Sequence, residues 1–422
     1  MTTLTRADDA IALRTTLLCG LVVLLEGYDL SALGYVVPQL VGAWHKPPVA
    51  FTAALTASNL GMFAGAVICG RLGDRYGRKP VLLGCIAAFG TASLLTAFVT
   101  GTTQLALARL ATGVGLGGGI PVCIALVSDV SPPHRQGTLV ITMITGVVVG
   151  NLAAGIVAAQ MISSFGWESV FIVGGLAPLL LLPLAAIFLR ESSEFRAIRS
   201  GAAAGGTATT STGNSAALFA PGIAGPTTLL WAINFLNLLT IFFVNSWLPL
   251  LLRNMGATSQ GAILATSMFY AGAIAAAFFS AALIGRYGIE RVLTVMLLFG
   301  GVCIIVSGVA TLSVVSLSLF ILGFGFGTGG SQLGISALPG AIYPTAIRST
   351  GAGWATGIGR LGNVAGALLG GALLGLGWSP QQMLLALGAA PVMNSVLMWA
   401  LGRFRASRPV RIPPAVPLST EA

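Results

Sequence analysis

Apolar runs of about 20 residues, the length that carries an α-helix across a bilayer, recur twelve times along this chain. They lie at 16–40, 51–72, 80–99, 104–127, 138–161, 169–189, 227–251, 260–284, 292–312, 314–338, 350–375 and 380–402. In hydrocarbon each backbone N–H and C=O must be bonded within the protein, so runs of this kind cross as helices. The composition agrees, at 55% hydrophobic and 8% charged with a mean hydropathy of +0.93, far from that of a water-soluble globule. The first run holds two acids, Glu26 and Asp29, and lacks the short apolar core and small-residue cleavage site of a secretory signal peptide. It reads as a span. Cys19, Cys69, Cys85, Cys123 and Cys303 all fall inside spans with no CxxC pair, so they read as apolar packing residues. Neither disulfide nor metal is implied.

A formal net charge of +10 raises the question of a nucleic-acid partner, and its placement answers it. With the N-terminus in the cytoplasm, all but four of the 21 Lys and Arg fall on the cytoplasmic side of the twelve spans. This is the positive-inside bias of a membrane protein, and no nucleic acid is needed to explain it. The exceptions are Lys46 and Arg253 outside, and Arg109 and Arg360 within spans. The seven tryptophans lie near predicted span ends, as amphipathic rings at a membrane interface do.

The chain repeats itself at half its length. "DRYGRKPVLL" at 74–83 returns as "GRYGIERVLT" at 285–294, an offset of 211; Pro38 and Pro249 share that offset, and "GNLAAG" at 150–155 returns as "GNVAGA" at 362–367. Residues 1–190 and 227–402 therefore form two six-helix bundles. Between them, 191–226 is rich in Ser, Gly, Ala and Thr and reads as a cytoplasmic linker; 403–422 is a basic, Pro-rich cytoplasmic tail. Parallel repeats of this kind are an arrangement of secondary transporters, with substrate held near the midplane between halves.

"GRLGDRYGRKPVLL" at 70–83 resembles the loop 2–3 signature of the major facilitator superfamily, and "RLATGVG" at 109–115 its fourth-helix arginine signature. Within the superfamily the chain is similar to the aromatic acid:proton symporters, through "EGYDL" at 26–30, "TGVGLGGGIP" at 112–121 and "YPTAIRSTGAGWATGIGRLGN" at 343–363. There are departures. Glu26 stands where that family often has Asp, Gly285 stands where the first repeat has Asp74, and the fifth span carries Gly150-Asn151 in place of the Gly-Pro of many antiporters. The last departure favours uptake over export.

Glu26 and Asp29 are the only acids of the eleven within spans. A charge at a helix centre costs about 2.5–3.5 kcal/mol on insertion scales, so such residues face a cavity and a partner. Three apart on a helix, they share a face, and repulsion and poor solvation favour the protonated form of at least one. They are the expected proton carriers. The offset of 211 maps them onto Asn237 and Thr240, so the second half keeps polarity without titratable charge. Asn237, Thr240 and Gln332 either supply hydrogen bonds to a ligand or tie helices together. Arg360, deep in the eleventh span, needs an anion, since arginine stays charged at any working pH. That anion is a carboxylate substrate held by the guanidinium fork, or else Glu26 or Asp29 as a permanent partner. Arg109, nearer its span end, is a proton-coupling partner, as the resemblance implies, or a helix-end arginine that snorkels to the interface. In loop 2–3 the resemblance implies a gate of Asp74, Arg75 and Arg78, with Asp74 at the N-terminus of the eleventh helix, where the dipole favours a carboxylate, beside Arg348. The glycines from 113 to 119 imitate a nucleotide loop, but with no preceding strand they read as close helix packing.

The expected protein is an all-α monomer of the inner (cytoplasmic) membrane with both termini in the cytoplasm. It imports a small aromatic carboxylate, benzoate-like or hydroxybenzoate-like, with protons, and draws on the proton gradient without a cofactor. The alternatives are a symporter of another small organic anion such as nicotinate or muconate, or a sensor of the same fold that binds without transporting. An enzyme is disfavoured: the only histidines, His45 and His134, lie in loops on opposite sides, and no nucleophile–base pairing is visible. Phe242, Phe243, Tyr270, Phe324 and Phe326 are candidate ring contacts, though lipid or core would claim each equally well.

Overall fold

The computed structural model of the chain describes residues 2–132, 135–189, 191, 215–220, 222–309, 313–344 and 347–407. It is helical almost throughout. The first half holds α1 (Thr2–Trp44), α2 (Thr52–Tyr76), α3 (Arg78–Thr96), α4 (Thr102–Val130), α5 (Gln136–Phe165) and α6 (Glu168–Phe188). The second holds α7 (Ala224–Asn254), α8 (Ser259–Tyr287), α9 (Ile289–Val309), α10 (314–342), α11 (Arg348–Gly375) and α12 (Pro380–Ser407).

Eleven of these helices are long and apolar enough, unbroken, to cross a bilayer. The twelfth expected span is α10, which crosses in two α-helical pieces, Val314–Phe324 and Gly330–Ile342, joined by a π-helical turn at Gly325–Gly329. Neighbours crowd this turn. A Cβ on Gly325 would sit 1.9 Å from the Phe269 carbonyl oxygen of α8, and one on Gly327 2.3 Å from the Met296 carbonyl oxygen of α9. The helix is approached closely from both sides here, at a kind of turn that is frequent at functional sites.

The halves repeat in space as they do in sequence. α1 packs on α5 as α7 packs on α11, α2 on α4 as α8 on α10, and α3 on α6 as α9 on α12. The repeated Arg-Tyr-Gly motif ends α2 and α8 alike. Gly77 (φ 103°) and Gly288 (φ 84°) turn the chain through a region that favours glycine, each donating its N–H back into the last helical turn. The linker expected over 191–226 and the tail over 403–422 fall mostly outside the described residues; Ser215–Phe219 forms a 3-10 turn, and α7 and α12 extend to 224 and 407.

Across the molecule α1 meets α7, α5 meets α8 and α2 meets α11. The hydrogen bonds that join the halves among the described residues lie toward the end away from the termini: Gln39 to Ser259 (2.7 Å), Arg253 to the Pro38 carbonyl (3.3 Å), Ser31 to Tyr270 (3.2 Å) and Tyr35 with Ser267 (3.4 Å). At the same end Gly34 lets α1 lie on α7, for a Cβ there would stand 1.8 Å from the Asn245 carbonyl oxygen. The halves are closed at that end. Toward the termini α2 and α11 diverge around a cavity.

Candidate functional site

Asp29 and Arg109 form one buried unit. Arg109 Nη2 lies 2.5 Å from Asp29 Oδ2, Nη1 is 3.2 Å from Oδ1, and Nη2 also donates to the Asp29 carbonyl at 3.2 Å. Ser93 donates to Oδ1 at 2.6 Å, Arg109 Nε donates to Ser58 Oγ at 3.1 Å, and the guanidinium lies 5.6 Å from the centre of the Phe171 ring. Asp29 is 0% and Arg109 1% exposed. α1, α2, α3, α4 and α6 thus all contribute to holding one ion pair. Two charges are tolerated here because each is met by the other and by neutral donors or acceptors. The snorkelling alternative for Arg109 is overturned. Helix α4 begins at Thr102, which places Arg109 about 10 Å inside it, too deep and too enclosed to reach an interface.

Glu26 does not join this pair. Although it shares the α1 face, its carboxylate lies against Gly119, where a Cβ would be 1.5 Å from Oε1, and near Cys19. Oε1 has no hydrogen-bond partner among the described residues. The glycine run of α4 is explained by such approaches: Gly113 and Gly117 meet the backbone of α2, Gly115 meets Phe89 of α3, and Gly118 meets Cys69 and Cys85. Close helix packing, not phosphate binding, is the finding.

The second half answers with amides. Asn237 Nδ2 donates to Gln332 Oε1 at 2.7 Å, Gln332 Nε2 to Asn234 Oδ1 at 3.3 Å, and Asn234 Nδ2 to the Ala355 carbonyl at 2.6 Å. α7, α10 and α11 are tied by this chain of amides. Thr240 stands apart; it is wholly buried, and its hydroxyl is spent on the Leu236 carbonyl at 2.8 Å.

Arg360 is half-buried and makes no hydrogen bond or ion pair among the described residues. It is not the permanent partner of either internal acid: Asp29 is held by Arg109, and Glu26 by neither arginine. Instead it lies on a cavity of about 360 Å³ between α2 and α11, lined also by Phe63, Val67, Ala352, Thr356 and Gly357. That volume is in the range of small-molecule pockets. From Arg360 to Ala352 the cavity runs roughly 12 Å along α11 toward the end that carries the termini. A second, much smaller cavity of about 10 Å³ touches Arg109 from between the halves, lined by Ser58, Asn59, Phe242, Asn245 and Ser246.

Of the expected ring contacts, Phe242 lines the smaller cavity. Phe243 and Phe324 are core residues, Tyr270 is tied to Ser31, and Phe326 packs against Phe279 and Phe299. Trp247 departs from the interface pattern as well; it is fully buried, donating to the Ala367 carbonyl at 2.8 Å. Among the gate residues, Arg78 pairs with Asp129 and Arg75 stacks on Tyr76, both within the first half, while Arg348 Nε donates to the Tyr343 carbonyl at 3.4 Å. The Asp74 side chain lies outside the described residues, and so does His134. Ser31, Ser58 and Ser93 were missed from the sequence, as was the contact of Ser31 with Asn151 and Tyr270. Serines are common in spans, and only the fold shows which ones meet a charge.

The Major Facilitator Superfamily model matches residues 19–228 and 230–419. The chain is 34% identical to the 4-hydroxybenzoate transporter PcaK of Pseudomonas putida, over 89% of each sequence, and 34% identical to a gallate transporter of the same organism, over 94% of this chain and 93% of that one. It is 36% identical to the 3-(3-hydroxy-phenyl)propionate transporter of Escherichia coli strain K12, over 89% of this chain and 91% of that one. Among solved structures a D-xylose-proton symporter shares the fold, with a TM-score of 0.73 at 17% identity, over 92% of this chain and 97% of that one. With its repeated six-helix halves and these relatives, the chain belongs to the major facilitator superfamily, among its aromatic acid transporters.

Proposed function

We propose that this protein is a proton-coupled importer of a small aromatic carboxylate, benzoate-like or hydroxybenzoate-like, working by alternating access. The observation that carries this reading is the contrast between the two arginines within the spans. Arg109 has its carboxylate in Asp29; Arg360 has none among the described residues and faces a cavity otherwise apolar or weakly polar. An aromatic carboxylate brings the missing anion for the guanidinium fork and a ring for the Phe63 and Val67 wall. The named relatives support the substrate class.

Asp29 is the proton site in this reading, with Arg109 as its switch. Protonation of Asp29 cancels the charge that holds Arg109 and frees its guanidinium for the gap lined by Asn59, Asn245 and Ser246. Glu26 is the accessory acid. Asn237 and Gln332 position the second half behind the substrate. The loop 2–3 motif, with Asp74, Arg75 and Arg78, and Arg348 across from it, would close the terminal end when the other end opens. With both termini cytoplasmic, as the distribution of basic residues supports, the cavity opens to the cytoplasm and the conformation is the one that releases substrate. The protein acts as a monomer in the cytoplasmic membrane and needs no cofactor.

The test is uptake of labelled 4-hydroxybenzoate into liposomes containing the purified chain. Accumulation that follows an imposed inward proton gradient and collapses with a protonophore is expected. Saturable binding without uptake would instead make the protein a sensor.

A further inference from the structure

The two halves treat the turn after the Arg-Tyr-Gly motif differently. In the first half the backbone N–H groups of Arg78 and Lys79 donate to the Glu191 carboxylate, at 2.9 Å and 3.2 Å to Oε1, and Asp129 takes the Arg78 guanidinium. The chain supplies its own anions there. From α4 onward the repeat is offset by 212, as in the GNLAAG and GNVAGA pair, which carries Glu191 onto Arg403 and Asp129 onto Ala341, so the second half has no carboxylate at the equivalent points. What stands beside Arg403 is a cavity of about 990 Å³, lined also by Tyr287, Gly288, Arg291, Thr294 and Gly402. Its one carboxylate, Glu290, is paired with Arg405. Arg291 and Arg403 are exposed and make no ion pair among the described residues, while the Arg403 guanidinium lies 4.8 Å from the centre of the Trp399 ring.

The surroundings say what kind of anion fits. From the cavity an apolar strip runs along α9 and α12, with Val295 67%, Phe299 49% and Val302 50% exposed on one helix and Val396 and Trp399 53% exposed on the other. Val295 to Val302 covers roughly 10 Å of helix, all of it facing outward. A soluble anion would use the arginines and leave this strip unrelated to its binding. A phospholipid uses both, because its phosphate suits the arginine fork and its acyl chains suit the strip. Basic pockets between spans at the headgroup level hold anionic lipids for this reason, and Trp399 is placed as an interfacial tryptophan.

We propose that this cavity binds the headgroup of an anionic phospholipid from the leaflet on the side of the termini, with Arg291 and Arg403 on the phosphate and the acyl chains along the α9–α12 strip. The site replaces, with lipid, the internal carboxylates that cap the equivalent turn of the first half.

Native mass spectrometry of the full chain, released from detergent with added phosphatidylglycerol or phosphatidylcholine, tests this. Wild type should retain phosphatidylglycerol about tenfold more than phosphatidylcholine, which has the same phosphate but brings a choline cation against the two arginines. Arg291→Gln with Arg403→Gln should remove that preference, and the two Lys replacements should restore part of it. Arg403→Glu, which gives the second half the carboxylate of the first, should also abolish retention. The arginines are exposed, so their variants should keep the wild-type elution profile, and quenching of Trp399 by brominated phosphatidylglycerol, taken as the difference from Trp399→Phe, gives a second reading in folded protein. Equal retention of the two lipids by wild type, or unchanged phosphatidylglycerol retention by the double Gln variant, would overturn the proposal. So would full displacement of the lipid by millimolar inorganic phosphate, which would make this a site for soluble anions.

Discussion

Arg109 reaches across from α4 to grip Asp29 of α1 with two nitrogens, Nη2 at 2.5 Å from Oδ2 and Nη1 at 3.2 Å from Oδ1, with both side chains sealed from solvent. Each needs the other. Removing one member of a buried pair strands the remaining charge at a cost of about 3–5 kcal/mol.

Asp29→Asn is therefore expected to do two separable things: lower thermal stability, by stranding Arg109, and abolish proton-driven accumulation. The double variant Asp29→Asn with Arg109→Gln should regain much of the stability, because no unpaired charge is left, yet still fail to accumulate substrate. Thermal unfolding of the purified proteins beside uptake under an imposed pH gradient separates the two effects. Near-normal accumulation by Asp29→Asn would remove Asp29 from the coupling step.

Glu26→Gln should be much milder. Glu26 has no counter-charge to strand, and its Oε1 lies against Gly119 with no hydrogen-bond partner among the described residues, so an amide of the same length fits without leaving an ion behind. Gly119→Ala tests the same contact from α4: its Cβ would fall 1.5 Å from Oε1, so the buried Glu26 carboxyl has to swing aside. Protein yield and melting temperature should drop for the glycine variant and hold for the glutamine one; the reverse order would show that the Glu26 charge is structural.

How much of this was legible beforehand differs from residue to residue. The apolar runs announced the helices, and the offset of 211 announced their pairing, because hydrophobic length and repetition are properties of sequence alone. The π-helical turn at Gly325–Gly329 was not legible, for its glycines read equally well as a regular helix packed closely on its neighbours. The internal charges were visible as a set, Glu26, Asp29, Arg109 and Arg360. Which pairs with which was not, since a pairing between α1 and α4 depends on helix rotation. The enclosure of Arg109 was not legible for a related reason: it comes from the helices packed around α4. Thr240 was open between a ligand contact and a tie between helices; its hydroxyl donates instead to its own helix, at the Leu236 carbonyl.

Closure at the end away from the termini depends on Gly34. Gly34→Val should prevent α1 from lying on α7 at Asn245, since a Cβ would meet the Asn245 carbonyl oxygen at 1.8 Å. Transport should fall at least tenfold, and a reporter cysteine in the Gln39–Ser259 contact should become accessible from the side of loop 1–2. A shift of a few kcal/mol is enough to invert such a population. Unchanged labelling would mean that the contact is not what holds that end shut.

Arg360 carries the central claim, and binding of 4-hydroxybenzoate compared with 4-hydroxybenzamide tests it most directly. The acid is almost wholly ionised at pH 7, with a pKa near the carboxylate value of about 4, while the amide keeps ring and shape without charge. Calorimetry on wild-type protein should give binding of the acid and little or none of the amide. Arg360→Lys should weaken the acid severely, since it keeps the charge and loses the two-pronged geometry, and Arg360→Ala should weaken it at least as much. Equal binding of acid and amide to wild type, or normal binding of the acid to Arg360→Ala, would contradict the account.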